Sequence, residues 1–265
     1  MNETEMIKNR IIDLSRMSFE RGIYTHSDFL TLAQQSDFSD LSHTKALFSH
    51  DYSLFGGYEG AERVMVRFGS ENTLGYDQAW PIACIKILPL NHKFAEELSH
   101  RDILGSLMNL GIERTLLGDI IVPKKSPDSI TYSKSQACAY IFAKDHIAET
   151  LCKELTRIRH TSVMASIIDN PEDVPKPTLQ EMNLQVKSER IDLIVAHVYN
   201  LSRSQSAELF LEGKVFVAGR LSENESHILS SKDLVSVRGY GRFIYNGVIG
   251  NTRKGNLNIS VSKYV

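Results

Sequence analysis

Cysteine is scarce in this chain. Cys84, Cys138 and Cys152 are odd in number, lie far apart and include no C-x-x-C pair. That excludes a disulfide framework and a paired-cysteine metal site; free thiols in a reducing cytoplasm are expected. Long apolar runs are absent too. The longest, Ile82 to Leu90, is interrupted by Lys86 and is too short to cross a bilayer, so no membrane partner is expected. The opening MNETEMIKNR has no basic start followed by an apolar core, which argues against a secretory signal. The nine histidines, at 26, 43, 50, 92, 100, 146, 160, 197 and 227, form no H-E-x-x-H and no close His/Cys/Asp pairing, and there is no G-x-S-x-G. No metal, cofactor or catalytic constellation is therefore expected, and the chain reads as a non-enzyme. His100, Arg101 and Asp102 form the most concentrated titratable triplet. Successive residues do not share a helix face, so capping and packing are their expected work.

Net charge is also small, −2 over 265 residues, with no whole-chain cationic signature. Its distribution is uneven. From Glu181 to the end there are 11 Lys+Arg against 8 Asp+Glu, and in the remainder 19 against 24. A basic C-terminal module on an acidic body suits a chain whose nucleic-acid contact is local.

Hydrophobic periodicity gives the organisation. Residues 5–20 read as an amphipathic helix with Ile7, Ile11, Leu14 and Phe19 on one stripe, followed by one or two short helices over 25–47. Phe55–Arg63 is Gly-rich but lacks the Gly-Lys-Ser/Thr of a P-loop, so a tight turn into a strand at Val64–Phe68 is expected. Strands at 81–88, 117–122, 137–142 and 161–168 alternate with helices at 99–110 and 145–158. Their order contains the split βαβ of ferredoxin-like and RRM folds. The stretch DNPEDVPKPT, with Pro171, Pro175 and Pro177, favours an extended spacer. The expected class is α+β: a helical N-terminal segment (1–60), a ferredoxin/RRM-like middle domain (61–170), a Pro-rich linker (171–178) and a C-terminal module (179–265).

In that module, SERIDLIVAHVYNLSRSQSAELFLEGKVFV (188–217) reads as two short helices meeting at a polar elbow. Ile191, Ile194, Val195 and Val198 mark the first helix; Ala207, Phe210 and Leu211 mark the second, leaving Ser206 and Glu208 outward. Ser202 is the expected N-cap and Gly213 the C-terminal stop. Arg190 and Arg203 then begin the two helices. A tight elbow would set both guanidiniums about a helix N-terminus, an arrangement suited to a phosphate backbone. Downstream, Arg238-Gly239-Tyr240-Gly241-Arg242-Phe243 starts like an RNP1 motif and departs from it. It reads as a glycine-bent strand entering a hairpin that ends at 257–261, with Arg238, Arg242 and Lys254 available to phosphates.

Arg-x-Asp at 190–192, Ser-Arg-Ser at 202–204, Ala207, Gly213-Lys214-Val215-Phe216-Val217 and Asp233-Leu234-Val235-Ser236-Val237 together resemble the S4 (αL-type) RNA-binding domain. Ala218 stands where that family usually has Asn of an Asn-Gly turn, and Lys232 where a Gly precedes the Asp. With His100–Ile112, Leu117-Gly118-Asp119-Ile120 and Phe55–Arg63, nearly the whole chain resembles the YlmH family of bacterial S4-domain proteins. The resemblance implies binding of ribosomal RNA on the large subunit, with peptidyl-tRNA as a further ligand, in rescue of stalled translation. Arg190 and Arg203 would be the anchors, Lys214 and Arg220 secondary phosphate contacts, and Ser204 and Gln205 hydrogen-bonding partners of backbone or sugar. Two other readings stay open: a cell-division adaptor that binds a protein through its N-terminal or middle domain, and an RNA-modifying enzyme.

Overall fold

Short apolar runs form several of the strands, apolar residues recur at helical spacing in the helices, and the two kinds of element sort into separate layers. A computed structural model describes residues 3–91, 95–123, 139–169, 174–175, 178–252 and 255–264. The chain divides into two units, Met1–Lys176 and Pro177–Val265. Of the linker prolines, Pro175 is described and Pro171 and Pro177 lie outside the described residues.

The first unit opens with α1 (Glu3–Arg21), β1 (Thr25–His26), α2 (Leu32–Ser42), β2 (Tyr52–Phe55) and β3 (Met65–Phe68). The helix stripe is narrower than expected. Ile11 and Leu14 are buried, whereas Phe19 is 68% exposed. Ser15 and Ser18 are buried in its place; the Ser15 hydroxyl accepts from the Ser49 N–H at 2.7 Å. The N-terminal segment is also not purely helical. β3 pairs with β1 and β2 in a three-stranded sheet of its own, so Val64–Phe68 is not the leading strand of the middle sheet. Nothing in its apolar sequence distinguishes one partner sheet from another.

Next come a short α3 (Glu71–Leu74), β4 (Ile82–Pro89), α4 (His100–Asn109), β5 (Leu117–Ile121), β6 (Ala139–Lys144), α5 (Asp145–Glu154), β7 (Arg157–Ile158) and β8 (Thr161–Ile168). The sheet order is β5-β6-β4-β8-β7 and every recorded pairing is antiparallel. This is the split βαβ order. Ser99 caps α4 in a reciprocal box with Asp102, which explains that carboxylate's place in the titratable triplet. Ile103 and Leu107 of α4, with Leu151 of α5, pack on Ile85, Ile87, Ile141 and Val163. Leu110 is 40% exposed. α5 stops at Glu154, so Ile158 reaches the core from β7 rather than from a fourth helical turn.

The Gly-rich loop before β3 does bind an anion, but an internal one. The Asp119 carboxylate of β5 accepts from the Tyr58 hydroxyl (2.7 Å) and from the backbone N–H groups of Glu62 (2.7 Å) and Arg63 (3.0 Å). Burial raises its pKa, against the pull of these donors and of the Arg63 and Arg114 charges. Arg63 itself is buried, donating to the carbonyls of Leu117, Phe29 and Arg114, and burial lowers its pKa to about 10. Glycine is required by contact here. A Cβ on Gly57 (φ +102°) would lie 2.3 Å from Phe142, and one on Gly118 2.8 Å from Phe29. Tyr58 stacks on Phe142 at 4.8 Å.

The second unit contains β9 (Leu179–Val186), α6 (Ile191–Tyr199), α7 (Arg203–Leu211), β10 (Val215–Val217), β11 (Arg220–Leu221), β12 (Leu234–Val237), β13 (Gly241–Asn251) and β14 (Leu257–Tyr264). Its sheet order is β11-β10-β12-β13-β14-β9. β9 has no counterpart in the sequence reading. Its Gln, Glu and Asn residues are weak strand formers, and it is held by an eight-residue register against β14. One sheet face, with Val215, Val235, Val237, Phe243, Tyr245, Ile259 and Val261, packs under Ile191, Ile194, Val195 and Val198 of α6 and Leu209 and Phe210 of α7.

Candidate nucleic-acid interface

The elbow between α6 and α7 is built locally. Asn200 ends α6 in the left-handed conformation (φ 54°, ψ 47°). Ser202 then caps α7, its hydroxyl accepting from Gln205 N–H while the Gln205 side chain accepts from Ser202 N–H. Such a box stabilises a helix by about 1 kcal/mol. Gly213, at φ +64°, ends α7, with Lys214 N–H returning to the Leu209 carbonyl at 2.9 Å.

The face α7 buries differs from the expected one. Leu211 is 90% exposed, while Ser206, Leu209 and Phe210 are buried. The Ser206 hydroxyl donates to the Asp192 carbonyl at 2.8 Å. That bond pins the first turn of α7 on the first turn of α6, and only a small polar side chain can make it. Periodicity assigned Ser206 outward because it scores polarity and cannot see an acceptor.

The structure separates the eight expected residues into two local groups. Arg190, Arg203, Ser204 and Gln205 belong to the helix starts. Arg190 lies at the N-cap of α6, and its guanidinium grips the Asp192 carboxylate through two 3.0 Å hydrogen bonds, with Glu225 at 4.0 Å. The hydrogen bond and charge of Asp192 raise its pKa further. Its charge is thus locally compensated. Arg203, three residues before Ser206, is exposed and has no ion pair or hydrogen-bond partner among the described residues. Ser204 is exposed, its hydroxyl 3.0 Å from that of Ser202, and the Gln205 carbonyl is spent on the cap.

Lys214, Arg220, Arg238 and Arg242 belong to the sheet. Lys214 pairs with Glu212 at 2.7 Å, which raises its pKa. Its carbonyl accepts from Arg238 N–H at 2.9 Å, so these two residues share one end of the sheet. Arg220 is exposed opposite Val217. Arg238 lies over the Phe216 ring at 4.6 Å and Arg242 over Tyr264 at 4.2 Å. The aromatic partners have no role in the sequence reading: Phe216 stands there only within the Gly213–Val217 motif, and the hairpin read from the sequence ends at 261, short of Tyr264. Strand alternation was the available signal, but the register that puts each ring under an arginine was not. Lys254 lies outside the described residues.

Other sites are less populated. No group of three or more His, Cys, Asp or Glu among the described residues is placed to hold a metal ion. Among those residues no helix is long and apolar enough to cross a membrane. In the first unit, the sheet face that an RRM offers to RNA is covered at Tyr140 and Phe142, which are buried with Cys84 and Val174.

Fold and surface define a two-unit α+β protein whose C-terminal unit carries cations on a helix elbow and on a sheet. Residues 78–171 match the family model described as the putative RNA-binding domain in YlmH. A relative, ribosome-associated protein quality control protein P2 of Bacillus subtilis (strain 168), is 26% identical over 200 residues, spanning 75% of this chain and 72% of the relative. The similarity to YlmH covers residues 78–171, the middle of the chain. A solved structure, the cell division protein ylmH from Streptococcus pneumoniae, is similar over 66% of this chain and 96% of its own, with 19% identity and a TM-score of 0.48.

Proposed function

We propose that this chain is a ribosome-associated RNA-binding protein. In this reading its C-terminal unit is an S4 domain that docks on RNA of the large ribosomal subunit during quality control of stalled translation in the cytoplasm. Peptidyl-tRNA is the further ligand, and no chemistry by the chain is needed. The observation that carries the reading is the pair of similarities: the RNA-binding family model over residues 78–171 and the ribosome-associated relative over 75% of the chain. The exposed Arg203 at the start of α7 supports it. Helix N-termini present unsatisfied N–H groups to phosphate oxygens, and an uncompensated guanidinium beside them adds bidentate capacity.

The geometry ranks the cations. Arg190 carries a carboxylate partner and Arg203 has none among the described residues, so Arg203 leads the phosphate contact, with Arg220, Arg238 and Arg242 beside it. About four such contacts weaken binding steeply with salt, at a slope of roughly −3 on log–log axes. The test is co-sedimentation with ribosomal subunits at low and moderate salt. Wild type should travel with the large subunit. Arg203→Ala should shift to the top fractions while remaining folded, and Arg190→Ala should have the smaller effect. Absence of wild type from every subunit peak, with stalled complexes supplied, would overturn the reading and put the protein-adaptor role ahead.

A further inference from the structure

Phosphate binding accounts for the cations but not for the rings beneath them. Phe216 and Tyr264 lie outside the hydrophobic core of their unit, on the sheet face turned away from α6 and α7. The register carries Leu221, Phe216, Ser236 and Arg242 into one row across four strands, and the row continues to Tyr264, under Arg242, and then to Leu179. Leu221 and Leu179, at its two ends, are 47% and 44% exposed. A strand's outward positions are usually filled by small polar or charged side chains. Here two are filled by aromatic rings, each with a guanidinium over it.

Flat π surfaces and guanidinium planes, alternating along a sheet, match one ligand chemistry. Unpaired bases stack on both, while the charge meets the phosphates between them. A duplex hides its base faces and would use the arginines alone. Phe216 and Tyr264 stand three inter-strand spacings apart, about 14 Å, which leaves room for more than one splayed base.

We propose that this sheet face is a stacking platform for unpaired nucleotides of single-stranded RNA, separate from the helix-elbow cations. The proposal rests on the RNA-binding reading above and adds the form of RNA taken. It divides the C-terminal unit into two surfaces, one that grips phosphates at Arg203 and one that holds bases over Phe216 and Tyr264.

The test is fluorescence anisotropy with the full chain and two probes, a labelled oligouridylate and a blunt RNA duplex of equal length. Phe216→Leu/Tyr264→Leu keeps apolar volume and removes both rings. Its affinity for the oligouridylate should fall about ten-fold, with duplex binding unchanged. Arg203→Ala should weaken duplex binding more than oligouridylate binding. Phe216→Leu alone, which keeps every cation and lies outside the core, should reproduce a smaller selective loss if the double variant fails to fold. Equal losses on both probes, or wild-type oligouridylate affinity in folded variants, would overturn the platform and leave the RNA-binding reading intact. Failure of wild type to bind either probe would overturn both.

Discussion

The β10–β11 hairpin turns on Ala218 and Gly219, which have φ of 47° and 77°, between the paired residues Val217 and Arg220. Two consecutive positive φ values in a two-residue loop define a type I′ turn, whose first position favours Asn, Asp or Gly. Alanine there brings Cβ against the following carbonyl at a cost of about 1–2 kcal/mol. Lys232, at φ 75°, carries the same cost in the turn before β12, where its N–H donates to the Tyr245 carbonyl at 2.7 Å. Ala218→Gly relieves the clash but adds freedom to the unfolded chain, so the net gain is about 0.5–1 kcal/mol. Ala218→Asn avoids that offset. Combined with Lys232→Gly, at a separate turn, the total should be about 1–2 kcal/mol. The assay is hydrogen exchange of the β12 and β13 amides in the full chain, where this gain slows exchange roughly 5- to 30-fold. Ala218→Val should speed exchange, because a β-branched residue tolerates positive φ least. The sign makes the test sharp, since glycine normally loosens a chain. Unchanged or faster exchange in Ala218→Gly and Ala218→Asn, or a Val variant as slow as wild type, would refute the assignment of left-handed strain.

Three further outcomes concern the first unit, which holds the chain's one tryptophan, Trp80, as a fluorescence probe. Asp119→Ala removes the acceptor of the Tyr58 hydroxyl and of the Glu62 and Arg63 N–H groups, and the buried negative charge beside Arg63 and Arg114. Urea unfolding should show a loss of about 3 kcal/mol or more. Gly118→Ala drives a Cβ to within 2.8 Å of Phe29, so the same titration should show a loss of about 1–3 kcal/mol from overpacking. His26, whose ring centroid is 5.7 Å from that of Trp80, is held neutral, with its pKa lowered from 6.5 to about 4 by burial and then by Arg67 and Lys144. Its folded pKa is depressed, so the unfolded state takes the proton first. Stability should therefore fall as pH drops from about 6.5 toward about 4, by about 2 kcal/mol once solvent screening is allowed for, and His26→Gln should flatten that stretch of the profile.

The residues show where local pattern suffices. Ser202 with Gln205, Ser99 with Asp102, and Gly213 specify helix ends through bonds a few residues long, and each helix end lies where such bonds place it. The strands of the split βαβ were legible because each is a short apolar run bounded by turn residues. Other features needed partners far along the chain. Ser206 is buried because Asp192 offers a carbonyl, and Leu211 is exposed as a consequence of that rotation. Arg190 and Arg203 differ by a local pairing instead: Asp192, two residues on, compensates the first, and the second has no partner among the described residues. The glycines of Phe55–Arg63 resemble a phosphate loop until Asp119, on a distant strand, is seen to fill it.

The amino-acid sequence by itself therefore determined the helix caps, the strand-forming runs and the α+β class, because propensity, capping and periodicity act within a few residues. Tertiary structure alone decided which sheet β3 joined, that β9 would close the last sheet and which rings came to lie under Arg238 and Arg242. Those outcomes depend on strand register and on desolvated polar partners, and both are set by contacts between residues tens of positions apart.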